Sequence, residues 1–167
     1  MKRLLLDTSV LIFALQQAPT NDDPTADQRW RDVQQLLGEA STFKFLIATP
    51  TVAEVLALVR SADRSNAVKE LSAAYLLVAF DLKAAEIAGS MWRFRPPTGG
   101  RQVIKVDIQI GACAVRAKAY GFCTYDKEQA ERVRHLAPTM AVGPPGDFIS
   151  LQTDLPYPTS STAGTPG

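Results

Sequence analysis

The sequence predicts an α/β protein, a three-layer α/β/α sandwich in which helices cover both faces of a central, mostly parallel sheet. Short apolar runs of strand length alternate along the chain with segments whose apolar residues recur at helical spacing. Strands that are separated by helices favour parallel pairing, and right-handed crossovers then place helices on both faces. The 167 residues are enough for one domain. We expect that domain to span residues 1–152.

The first half of the chain predicts two strands, each followed directly by a helix. Residues 4–6 form a short apolar run that ends at Asp7, and apolar residues at helical spacing follow at once. The polar residues 16–28 predict a loop or an insertion, and Gly38 is placed to stop the helix that comes next. A second strand over residues 43–48 leads into a further helix.

The second half continues the alternation of strands and helices. Strands are predicted over residues 75–80 and 121–125, with a weak strand near 139–142; helices are predicted over 66–73, 82–92, 106–119 and 127–134. Residues 93–101 combine proline, glycine and arginine, which indicates a surface loop. Residues 153–167 are rich in proline, glycine, serine and threonine and predict a disordered tail, because they can bury almost no apolar surface.

The composition excludes several classes of protein. Hydrophobic residues make up 46% and charged residues 21%, which is typical of a globular domain rather than a disordered or fibrous chain. The net charge of +1 gives no global field for a polyanion, so a nucleic-acid partner would need a local positive patch. The two cysteines, Cys113 and Cys123, sit in apolar runs and predict free thiols. No apolar run is long enough to span a membrane, and we expect a cytoplasmic protein.

Four carboxylates are placed where they can meet at one edge of the sheet. Asp7 and Asp126 each follow the last residue of a predicted strand, and ligands in parallel α/β sheets bind beyond the carboxyl ends of the strands. Glu54 lies in the first turns of the helix after the second strand. Asp107 opens the predicted helix of small and apolar residues that follows the arginine-rich loop.

Each carboxylate also has a purely structural interpretation. Asp7 and Asp126 can cap the helices that follow them, with Gln129 as the partner of Asp126, and Thr51-Val52-Ala53-Glu54 fits a capping box. Asp107 can complement a helix dipole. Taken singly, these interpretations are the better ones, but an ionised Asp107 on an apolar helix costs several kcal/mol unless a cation or donor compensates it.

Taken together, the carboxylates favour a metal site. Four acids in one place repel one another unless a hard divalent cation neutralises them, and Mg²⁺ and Mn²⁺ prefer oxygen ligands. Such ions serve in phosphodiester hydrolysis. The residues that other kinds of catalytic site need are absent from the sequence. His135 is the only histidine, which disfavours a catalytic triad or a zinc site built on histidines, and no Gly-x-Ser-x-Gly occurs. Gly99-Gly100 is not followed by the Lys-Ser/Thr of a phosphate-binding loop.

The chain resembles the PIN-domain ribonucleases of the VapC toxin type. The resemblance rests on residues 5–12 (Leu-Leu-Asp-Thr-Ser-Val-Leu-Ile), on Glu54, on Asp107 before a small-residue helix and on Thr124-Tyr125-Asp126, which occur in the order typical of that family. It implies a PIN-like fold in which Asp7, Glu54, Asp107 and Asp126 bind Mg²⁺ or Mn²⁺ and the hydroxyls of Ser9 and Thr124 orient the carboxylates or metal-bound water. The polar segment 16–28 and the tail depart from the family's pattern.

The resemblance also implies a function and partners. It implies a metal-dependent endoribonuclease that acts on RNA as the toxin of a toxin–antitoxin pair, restrained by a small antitoxin and forming homodimers. Two other functions stay open: an RNA-processing or DNA-directed nuclease without an antitoxin, and a non-catalytic nucleic-acid-binding module. Arg93, Arg95, Arg101 and Lys105 precede Asp107, and they form either the RNA-binding patch or a solvated basic loop.

Overall fold

The computed structural model describes residues 1–18, 23–92 and 101–149, with the backbone alone at 101–104. In this part of the chain the strands are β1 (Lys2–Leu6), β2 (Phe43–Ala48), β3 (Leu76–Val78), β4 (Gly121–Cys123) and β5 (Ala141–Gly143). The helices are α1 (Thr8–Leu15), α2 (Pro24–Gly38), α3 (Thr49–Ala57), α4 (Arg64–Ala74), α5 (Leu82–Met91), α6 (Arg101–Arg116) and α7 (Lys127–Leu136). Short 3₁₀ turns cover Ser61–Asp63 and Pro145–Asp147.

The five described strands form one sheet in the order β3-β2-β1-β4-β5, and every pairing is parallel. The strand β1 lies at the centre, where Leu5 pairs with Leu46 on one side and with Phe122 on the other. Its residues Leu4, Leu5 and Leu6 are fully buried. A continuous apolar run of this kind is what a strand covered on both faces requires.

The sheet separates two apolar cores. Leu5 points into a core built with α5, α6 and α7, which includes Met91 and Val133. Leu4 and Leu6 point the other way, into a core built with α1, α2, α3 and α4, which includes Val33. Successive side chains of a strand face opposite sides of the sheet, so β1 contributes to both cores. The predicted three-layer α/β/α sandwich with a parallel sheet is confirmed.

The prediction that the small-residue helix begins near residue 106 is wrong. The helix α6 begins at Arg101, so Asp107 lies in its second turn and does not open it. The helix ends at Arg116 rather than at residue 119, because Lys118 adopts a positive φ of 49°. The amide of Ala119 then bonds to the carbonyl of Ala114, a pattern that closes helix ends.

The predicted loop over residues 16–28 is partly helical. The helix α2 starts at Pro24, a residue suited to the first helical turn, and the Asp23 side chain accepts hydrogen bonds from the amides of Thr25 and Ala26. The predicted strand over residues 75–80 is limited to the edge strand β3. The predicted tail over 153–167 and the basic residues Arg93 and Arg95 lie outside the described residues.

The two cysteines are free and buried, as predicted. Burial raises the pKa of the Cys113 thiol to about 12, and burial likewise raises the pKa of the Cys123 thiol well above its usual range. Both groups therefore stay protonated near neutral pH and behave as small apolar side chains.

Candidate active site

The candidate site lies where the strand order reverses. From β1 the sheet is built outwards through β2 and β3 on one side and through β4 and β5 on the other. At this point the amide of Asp7 donates to the carbonyl of Cys123 at 2.9 Å, so the residues that follow β1 and β4 are held side by side. Ligands of open parallel sheets bind at such a reversal.

Asp7 is the most constrained of the four predicted carboxylates. Its side chain is 4% exposed, and its Oδ2 accepts from the hydroxyl of Ser9 at 2.7 Å and from the hydroxyl of Thr124 at 3.0 Å. The amide of Ser9 donates to the same oxygen at 3.3 Å, which caps α1 as predicted. Because these donors all converge on Oδ2, the second oxygen, Oδ1, has no hydrogen bond within the described structure.

Thr124 and Gln129 connect Asp7 to the helices α6 and α7. The Thr124 hydroxyl lies 3.2 Å from Oε1 of Gln129, and the amide of Asp126 donates to that hydroxyl at 2.9 Å. Asp126 caps α7, since its Oδ1 accepts from the amide of Gln129 at 2.9 Å. The buried Gln129 also donates through Nε2 to the carbonyl of Asp107 at 3.2 Å. Asp126 is therefore both a cap, as predicted, and a neighbour of Asp7.

Glu54 reaches the site through Thr8. The hydroxyl of Thr8 donates to Oε2 of Glu54, which places this half-buried carboxylate beside the residue that follows Asp7. The capping-box interpretation of Glu54 is wrong, because α3 begins at Thr49 with Ala48 as its cap. Thr51 is instead fully buried, and its hydroxyl has no hydrogen-bond partner among the described atoms.

Burial and the charges of the other three carboxylates raise the pKa of Asp107. Its pKa is raised from 3.8 to about 6, first by burial and then by the negative charges of Asp126 and Asp7, with a smaller contribution from Glu54. Arg132 opposes this shift, with Nη1 3.5 Å from Oδ2 of Asp107. The structure thus brings all four predicted carboxylates into electrostatic contact, although they come from four separate segments of the chain.

Arg132 belongs to the site and was missed from the sequence. Its side chain is 6% exposed, it pairs with Asp107 and with Glu128, and its Nε and Nη1 have no hydrogen bond within the described structure. An arginine is rarely buried without paired charges. The one signal available was its spacing, because Asp126, Gln129 and Arg132 recur every three residues and share one face of α7.

The donor set fits a divalent cation that keeps some of its water. No three carboxylate, thiol or imidazole groups among the described side chains come close enough together to hold an ion directly as they lie. Mg²⁺, however, usually takes one or two carboxylates and completes its octahedron with water and a substrate phosphate. The free Oδ1 of Asp7 and the destabilised charge of Asp107 suit such a cation.

The predicted basic patch is described only in part. Lys105 is exposed on α6, two residues before Asp107. Arg101 is the first residue of that helix, and its side chain is outside the described atoms, as are Arg93 and Arg95 entirely. The placement of this patch around an RNA strand therefore stays a prediction.

Comparisons with known proteins were made by sequence and by structure. No protein-family model matches the sequence, and no curated protein matches it. Solved structures do match. A chain in the crystal structure of VapBC2 from Rickettsia felis bound to a promoter DNA fragment aligns with a TM-score of 0.55 at 14% identity, over 84% of this chain and 96% of that one. This chain has the fold found in VapBC complexes.

Two further VapBC structures give the same result. A chain of DNA-bound VapBC from Salmonella typhimurium aligns with a TM-score of 0.57 at 17% identity, over 85% of this chain and 97% of that one. A chain of VapBC-1 from nontypeable Haemophilus influenzae aligns with a TM-score of 0.58 at 13% identity, over 86% and 98%. The fold expected from the resemblance to VapC-type PIN domains is confirmed. No described helix is long and apolar enough to cross a bilayer.

Proposed function

We propose that this protein is a metal-dependent endoribonuclease that acts as the toxin of a toxin–antitoxin pair. The observation that carries the proposal is the meeting of Asp7, Glu54, Asp107 and Asp126 at the reversal point of a VapBC-like sheet. One buried and three half-buried carboxylates that repel one another are costly to the fold, and a divalent cation reduces that cost. Their retention in one place supports a catalytic use.

In this proposal the four carboxylates bind Mg²⁺ or Mn²⁺ together. Asp7 is the primary ligand, since Ser9 and Thr124 fix its orientation and leave Oδ1 available. Asp126 comes from the cap of α7, Asp107 from α6 and Glu54 from α3. When bound, the metal would activate a water and stabilise the leaving oxygen of a phosphodiester.

Arg132 and the hydroxyls have supporting roles. Arg132 compensates part of the negative charge of Asp107 from the protein interior, so the site holds together before any metal binds. Thr8 holds Glu54 beside Asp7. Water activation needs no covalent intermediate on the protein, which fits a site that has four carboxylates and no histidine among the interacting groups described above.

The proposed partners are a small antitoxin and a second copy of this chain. The structural neighbours come from VapBC complexes, which supports the antitoxin. A mostly apolar groove of about 320 Å³ between α1, α3 and α4, lined by Leu15, Val55 and Val59 among others, offers a place for an apolar segment of that partner. The half-exposed Leu76 and Leu77 on the edge strand β3 support a homodimer, which light scattering after size exclusion tests directly.

The decisive experiment is RNA cleavage by the antitoxin-free protein. Purified protein is incubated with total RNA in Mg²⁺, Mn²⁺ or EDTA and the products are resolved on a sequencing gel. We expect discrete bands that need metal, that vanish for Asp107→Asn and that persist for Glu86→Gln. The Glu86 carboxylate is an exposed partner of Lys83 on α5, so this variant is a matched control for the loss of one negative charge.

The other outcomes separate the remaining functions. Intact RNA under every condition, from folded protein, contradicts the ribonuclease proposal. Cleavage of DNA in place of RNA would favour a DNA-directed nuclease. Binding of nucleic acid without cleavage would favour a non-catalytic module. A neighbouring short reading frame that encodes a DNA-binding protein would support the antitoxin, and its absence would favour a processing nuclease.

A further inference from the structure

A groove of about 480 Å³ opens beside the candidate active site. It lies over the carboxyl ends of β4 and β5 and the start of α7, and Thr124 and Asp126 form the wall that it shares with the site. Gly143 and Pro144 form part of the opposite wall. The groove therefore adjoins the site through Asp126, one of the four carboxylates, and through Thr124, which donates to Asp7.

Three cationic side chains line this groove: Arg29 from α2 and Lys127 and Arg134 from α7. All three are exposed, and none is in an ion pair with a carboxylate of the described residues. Arg31, two residues from Arg29, is by contrast paired with Asp27. The one carboxylate in the groove away from the acidic site is Glu131, so the groove carries an excess of positive charge.

Arg29 is held in position by Tyr125. Its guanidinium carbon lies 4.9 Å from the centre of the Tyr125 ring, and the Tyr125 hydroxyl donates to the carbonyl of Arg29 at 3.1 Å. The ring in turn makes an edge contact with Phe13 at 6.0 Å. Tyr125 adjoins Asp126 in the chain, so the geometry fixes the distance between a cation of the groove and a carboxylate of the site. A preorganised arginine loses less entropy when it binds a phosphate.

We propose that this groove binds the phosphates of the RNA strand next to the bond that is cut. The proposal rests on the proposed nuclease function and adds to it where the strand lies. Four carboxylates repel a polyanion, so nearby cations that hold the flanking phosphates favour the approach of a phosphodiester. Arg29, Lys127 and Arg134 are such cations on the side of β4 and β5, and none of them was expected from the sequence.

The test is RNA binding in EDTA, where no cleavage takes place. The probe is a labelled oligouridine of about a dozen nucleotides, long enough for several phosphate contacts, and its binding is followed by fluorescence anisotropy. The groove variant is Arg29→Gln/Lys127→Gln. The control is Lys44→Gln/Lys69→Gln, which removes two exposed positive charges that do not line the groove. Arg134 is left unchanged because its Nη2 donates to the carbonyl of Val142 at 2.6 Å and so supports β5.

The expected results follow from counterion release. The groove variant should bind at least about tenfold more weakly than the unmodified protein at low salt, and the slope of log affinity against log salt should fall by about 1.4, since each phosphate contact on a single strand contributes about 0.7. The control should keep the original slope. Circular dichroism spectra test whether both variants are folded.

The opposite results separate the groove from the proposed function. Equal binding and equal slopes for the groove variant and the control overturn the groove proposal, and cleavage by the same variant in Mg²⁺ at the normal rate leaves the nuclease intact. Absence of RNA binding by the unmodified protein also overturns the groove. If the unmodified protein does not cleave RNA but its RNA binding depends on Arg29 and Lys127, the nuclease proposal is overturned and the groove proposal is kept.

Discussion

Replacement of Asp107 by asparagine should stabilise the metal-free protein at alkaline pH. The folded state raises the pKa of Asp107 from 3.8 to about 6, so the fold favours the protonated acid. Well below pH ~4 the group is protonated in both states. As the pH rises towards 6, the unfolded chain loses the proton first, and the free energy of unfolding falls. Asparagine resembles the protonated acid and carries no charge at any pH.

The size of the effect follows from the pKa shift. A shift of about two units at 1.36 kcal/mol each corresponds to about 3 kcal/mol, and the Asp107 side chain is 19% exposed, so little of this is lost to solvent screening. The free energy of unfolding of Asp107→Asn should therefore exceed that of the unmodified protein by up to about 3 kcal/mol at pH ~8, and the two values should converge well below pH ~4. The variant keeps Glu128 as a partner for Arg132.

Urea unfolding in EDTA across this pH range measures the difference. Glu86→Gln is the control, because its exposed ion pair is worth less than about 1 kcal/mol. Addition of Mg²⁺ at pH ~8 should stabilise the unmodified protein by about 2.7 kcal/mol when its concentration is a hundred times the Kd, and should do far less for Asp107→Asn. If the free energies of unfolding of the variant and of the unmodified protein change with pH in parallel, the claim that the four acids repel one another is refuted.

Three further predictions concern the residues around the site. Thr124→Val removes the hydroxyl that donates to Asp7 and accepts from the amide of Asp126. Metal-dependent cleavage by the folded variant should fall by about 10–100-fold, and normal cleavage would show that Ser9 alone orients the acid. Arg132→Met should lower the free energy of unfolding by about 3 kcal/mol at pH ~8 and by less at pH ~5, because Asp107 loses its buried counter-charge. Urea titrations measure both values, and an equal loss of stability at the two pH values would contradict this prediction. Gly111→Ala should lower the free energy of unfolding by about 1–3 kcal/mol, since the added Cβ would lie 2.8 Å from Val133 and 2.9 Å from Met91. Thermal unfolding measures this change, and an unchanged melting temperature would show that both side chains can move aside.

The fold and two of the four carboxylates could be predicted from local patterns. A run of three buried leucines followed by Asp7 identifies a central strand and the position at its end, because burial on both faces leaves no polar residue within the strand. Asp126 follows β4 in the same way. Both residues also cap helices, as their spacing predicted.

Helix ends were predicted less well. The start of α6 was expected near residue 106, since the proline and glycine residues before Arg101 indicate a loop that has no sharp end in the sequence. The end of α6 depends on the positive φ of Lys118. The sequence does not predict this conformation, because lysine rarely adopts a positive φ.

The tertiary structure alone decided how the site is assembled. The alternation of strands and helices and the acids at strand ends can be predicted from local patterns, because these features depend on the period of the side chains along a single element. The contact of Thr8 with Glu54 joins residues 46 positions apart, and that of Thr124 with Asp7 joins residues 117 apart. The burial of Arg132 and the grouping of Arg29 with Lys127 likewise depend on which helices pack together. Such pairings arise from the packing of whole elements, where the distance along the chain no longer limits which side chains meet.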